Sequence, residues 1–183
     1  MGDTRPEISR IIAPHIPLEI VGERRYRLEA NVLTQIQFTS GETLGIFTAK
    51  NFLLDMRSGP FFLDWIHPHV GDQHTRRGAF IHDSLFALAA ECTLRAQEPP
   101  ISFEFANQLF RDIDKLSQDR GGGGLSSWRC WLSWVAVETE FGKRAYEIVD
   151  SVDYKNRGKV HVFWSGKQIS RGGAHERAST TTI

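Results

Sequence analysis

The stretch "AFIHDSLFALAAECT", residues 79 to 93, sets His82 and Asp83 side by side at the head of an apolar run. An imidazole next to a carboxylate can ligate a metal, relay a proton or pin a helix through hydrogen bonds. On a helix, His82 shares a face with Leu85, Phe86 and Ala89. That face is apolar, so the imidazole is expected to point inward and to need a hydrogen-bond partner. Asp55, Ser58 and Asn107 are the available partners, and Asn107 lies on the same helical face as Phe103 and Phe110. A closed network of Asp55, Ser58, His82 and Asn107 would tie a strand end to two helices and specify one packing. This structural reading is the favoured one.

Two chemical readings stand beside it. His82, Asp83 and Asp55 are candidate metal ligands, with His67, His69 and His74 of "HPHVGDQH" as further donors. Imidazoles suit zinc, and a hydrolase would then use a metal-activated water. A phosphohydrolase of the His-Asp kind would also need an upstream His and a downstream Asp, for which His67 and Asp112 can be nominated. The other reading is a Ser58–His82–Asp55 nucleophile set. Ser58 lacks the Gly-x-Ser-x-Gly elbow that would expose it. "RGGGG" at 120 to 124 is not followed by Gly-Lys-Ser/Thr, so it reads as a connector and not as a phosphate loop. No cofactor is expected.

The elements that must hold these residues follow from periodicity. Residues 1–17 contain three prolines and read as an extended N-terminal arm. Residues 18–49 are strand-like: Tyr26, Leu28, Ala30 and Val32 alternate with Arg27, Glu29 and Asn31, and Ser40-Gly41 signals a turn. Two or three antiparallel strands are expected there. Residues 50–78 look irregular but apolar, so they must pack on something. Helical patterns follow over about 79–96, 102–118 and 126–148, with Ser102 and Ser127 as N-caps. "KVHVFW" at 159 to 164 is a short strand. From Lys155 to Arg177 there are six Lys or Arg and one Glu, and the final residues have almost nothing to bury. The division expected is an arm over 1–17, a single α+β domain over 18–150, and a short strand plus basic arm over 151–183. The fold class is α+β, with a small antiparallel sheet, a three-helix segment and an extended C-terminal arm.

The motifs "NFLLDMRSGP", "GAFIHDSLFA" and "FANQLF" resemble a family found in tailed phages and prophages, a domain of unknown function numbered thirteen fifty-three. Phe52, Asp55, Ser58 and Pro60 match its strand motif. His82 and Asp83, followed by Leu85 and Phe86, match its His-Asp helix. Ala106 and Phe110 match the second helix, where Asn107 stands in place of the family's usual Asp. Ala136-Val137, Phe141-Gly142 and Tyr146 match the third. The resemblance spans about residues 44–148 and implies phage origin without supplying a reaction. An amide at 107 is a poorer ligand than a carboxylate, which weighs against a metal. His67, His69 and His74 are outside the family's pattern.

Composition limits the classes of function. The chain has 183 residues, 22 Lys or Arg and 22 Asp or Glu, so its formal net charge is zero. That argues against a nucleic-acid coat, which needs positive charge against phosphate. Five Trp and twelve Phe supply either a dense core or an adhesive surface. Trp128, Trp131 and Trp134, with Arg129 among them, are candidate interface anchors; the plainer alternative is that Trp128, Leu132 and Val135 form a core stripe. Arg171 and Arg177 are the corresponding candidates in the C-terminal arm. Cys92 and Cys130 lie in apolar runs and read as buried thiols, which suits a reducing compartment. The N-terminus lacks a signal peptide's apolar segment, no run of about 18 apolar residues exists to span a membrane, and Pro6 breaks the myristoylation motif that Gly2 would begin.

Together these point to a non-enzymatic structural or assembly protein of a tailed-phage virion, from the tail, the baseplate or another component. It would be made in the host cytoplasm and bind other virion proteins in an oligomeric assembly. The alternative is a small metal-dependent hydrolase, acting on cell wall or phosphoester, with His82 and Asp83 at its site.

Overall fold

The computed structural model describes residues 7–22, 25–54, 73–119 and 151–166, and the single positions 135, 138 and 143. Seven strands and three helices are defined among them: β1 Ile8–Ile12, β2 Leu18–Gly22, β3 Arg25–Leu28, β4 Val32–Phe38, β5 Thr43–Thr48, β6 Leu53–Leu54, α1 Gln73–Leu94, α2 Phe103–Asp119, α3 Ser151–Asn156 and β7 Val160–Ser165. They make an α+β fold with two antiparallel sheets. One has the order β1-β4-β5-β7 and the other β2-β3-β6.

The β4–β5 hairpin is set by its turn. Gly41 takes φ 87°, a left-handed conformation that glycine adopts without steric cost. Its N–H donates to Phe38 O at 3.0 Å, and Phe38 N–H donates to Glu42 O at 2.9 Å. In β4 the residues Val32, Thr34, Ile36 and Phe38 are buried, while Leu33, Gln35 and Gln37 face outward. Leu44, Ile46 and Thr48 of β5 and Val160 of β7 continue the buried face. The helices cover it: Ser84 of α1 shares a hydrogen bond with Thr48 at 3.1 Å between their buried hydroxyls.

Four strands occupy residues 18–49, not the two or three expected. The alternating run from Tyr26 to Val32 is one pattern but two strands, in different sheets. The chain breaks at Glu29–Asn31, where Glu29 N–H turns to Pro17 O at 3.0 Å and Asn31 Oδ1 accepts Lys50 N–H at 2.8 Å. Ala30, expected to be inside, is exposed. Part of the expected N-terminal arm is also sheet. Ile8–Ile12 pairs with β4, with a bulge between Ile8 and Arg10. Pro14 and Pro17 follow the strand, where their missing N–H groups interrupt no ladder.

Helix α1 begins at Gln73, six residues before the expected start at 79, because the Thr75–Gly78 stretch is helical despite its polar and glycine residues. Its end is a Schellman turn. Ala96 takes φ 54°, Gln97 N–H reaches Cys92 O at 2.9 Å and Ala96 N–H reaches Thr93 O at 3.1 Å. Helix α2 begins one residue after its cap, and Ser102 Oγ accepts Phe105 N–H at 3.2 Å as expected. The strand expected at 159 to 164 is β7. It pairs with β5 along its whole length, so the folded unit runs past the expected limit at 150. Val135, Glu138 and Lys143 are each helical, and Glu138 forms an ion pair with Arg111 of α2. The remainder of the helical pattern at 126–148, with Ser127 and Cys130, lies outside the described residues, as do the connector at 120–124 and the arm beyond 166.

Candidate functional site

His82 lies on the inner face of α1 and is 4% exposed, as its apolar neighbours require. Asn107 faces it from α2 and is equally enclosed, at 3%. His82 Nε2 and Asn107 Oδ1 are 3.3 Å apart. The imidazole is packed between two phenylalanines, with ring centroids 3.9 Å from Phe86 and 5.3 Å from Phe110. If Nε2 carries the hydrogen, the imidazole donates to the amide oxygen and the contact contributes about 1 kcal/mol. His82 Nδ1 finds no hydrogen-bond partner among the described residues. Asp83 Oδ1 is 3.8 Å from it, an electrostatic contact beyond hydrogen-bond length.

The polar line extends along the helix pair. One turn before His82, Gly78 lies against Asp114, which is buried and two turns beyond Asn107. A Cβ at position 78 would sit 2.6 Å from Asp114 Oδ1 and 3.1 Å from Phe110 Cδ2. The glycine therefore permits the close approach of α1 and α2 that His82 and Asn107 bridge. Neither residue was singled out from sequence. Asp114 was within reach of the pattern, since it continues the inward row Asn107–Phe110.

A second buried carboxylate lies at the far end of α1. Glu91 accepts Gly158 N–H at 2.7 Å and pairs with Arg95 at 2.5 Å. Beside it, burial raises the Cys92 thiol pKa, the Glu91 charge adds to the rise and Arg95 opposes it. A buried thiol kept protonated is a poor nucleophile. In Lys159, burial lowers the ammonium pKa, and Nζ donates to Asn51 O at 2.6 Å.

Of the four residues expected in one network, the described structure brings together His82 and Asn107. Asp55 and Ser58, the other two members of that network and the partners of His82 in the nucleophile set, lie outside the described residues. His67, His69, Trp128, Arg129, Trp131, Trp134, Arg171 and Arg177 also lie outside them. His74 belongs to α1 in its backbone. Asp112, nominated as a distant acidic partner, takes Gln108 Nε2 on its own helix at 3.4 Å. Among the described residues no three His, Cys, Asp or Glu side chains gather as a metal-binding group. No helix among them is long and apolar enough to cross a membrane. No protein-family model, curated protein or solved structure matches the chain.

Proposed function

We propose that this protein is a non-enzymatic binding component, a structural or assembly protein that joins other proteins in a tailed-phage virion. The observation that carries the non-enzymatic part is the enclosure of His82: Nε2 is taken by Asn107 and the ring is walled by Phe86 and Phe110. A side chain held this way fixes one helix packing. Support for binding comes from apolar side chains left on the surface, among them Ile12, Leu33 and Phe163 on the outward side of the larger sheet and Ile20 on β2. The phage setting rests on the motif resemblance. The proposal includes a third helix over about 126–148 and an extended basic arm that lies across a neighbouring subunit.

The test is sedimentation of phage-producing lysates containing a tagged copy. Co-sedimentation with particles or assembly intermediates is the expected result, and a protein that stays wholly in the free fraction overturns the reading. One observation favours a second reading: the buried Nδ1 of His82 lies near Asp83 without a hydrogen bond among the described residues. A metal-dependent hydrolase would use that nitrogen. Stoichiometric zinc in protein purified without added metal, lost in His82→Ala, would overturn the structural reading of His82 and favour the hydrolase.

A further inference from the structure

We draw no further inference here: the strongest candidate, the outward side of the four-stranded sheet where Phe163 lies over Gly45 beside the Phe47–His161 ring pair, is an unpartnered face and nothing in the structure shows what covers it.

Discussion

The side-chain amide of Asn156 makes both hydrogen bonds that a neighbouring strand would make to Leu53. Its Nδ2 donates to Leu53 O at 2.7 Å, and its Oδ1 accepts Leu53 N–H at 2.8 Å. The short strand β6 pairs with β3 on one side and is closed on the other by this amide. Asn156→Ala leaves both main-chain groups without their partner, at about 1–3 kcal/mol for each buried group left unmet. We expect a loss of roughly 2–4 kcal/mol by urea denaturation on that basis. Asn156→Asp keeps the acceptor but sets a carboxylate oxygen against Leu53 O in a buried site, so it should cost at least as much as Asn156→Ala. A loss within error of zero for both variants would show that the amide does not hold β6.

The His82–Asn107 contact should appear as a coupling energy. His82→Ala and Asn107→Ala are each expected to destabilise the fold, and the double variant to cost less than their sum by about 1 kcal/mol. Additive losses would mean that the two side chains do not interact.

Ala96 holds a left-handed conformation, φ 54°, at the exposed end of α1. A side chain there costs about 1–2 kcal/mol. Glycine removes that cost but adds freedom to the unfolded chain, which offsets roughly 0.4–1 kcal/mol. Ala96→Gly is therefore expected to raise stability by about 0.5–1 kcal/mol. A fall in the denaturation midpoint would count against the Schellman turn.

Gly45 is covered by the Phe163 ring, and a Cβ at 45 would collide with the ring's far end. Gly45→Ala should cost stability in the wild-type chain and cost less, or nothing, in a Phe163→Ala background. The comparison of the two losses by thermal melting decides this. Equal losses in both backgrounds would place the ring elsewhere.

Cys92 supplies a pH dependence with a definite sign. Burial, with Glu91 next, raises its folded pKa above the ordinary 9.0. Between 9.0 and that higher value the folded state keeps a proton that the unfolded chain has released. Its contribution to stability is thus complete below 9.0 and declines as pH rises through the folded pKa. In a Cys130→Ser background, Cys92 should resist iodoacetamide near neutral pH until urea unfolds the chain. Rapid native-state labelling would contradict its burial.

The sequence carried local information well. Ser40-Gly41 marked the hairpin, Ser102 marked the start of α2, and the apolar neighbours of His82 placed its ring inside. Inward orientation on two helices was enough to pair His82 with Asn107. Longer-range relations were not legible. Nothing near Leu53 announces Asn156, and nothing near Glu91 announces Gly158, because each contact depends on how distant segments meet. The alternation from Tyr26 to Val32 also concealed a break, since a strand leaving one sheet and entering another can keep the same period. The early start of α1 was hidden by Gly78, which lowers helix propensity by roughly 1 kcal/mol but admits Asp114.

The position of β7 fixes the order in which the larger sheet can be built. Thr48 pairs with Val160, so β5 and its last partner leave the ribosome far apart in time. At about 5–20 residues per second, a gap of roughly a hundred residues lasts on the order of ten seconds. Throughout that interval a nascent chain holds β4 and β5 with one ladder edge open. Such an edge can recruit a strand from another chain. A translational pause introduced between β5 and β7 is therefore expected to lengthen the exposure of that edge.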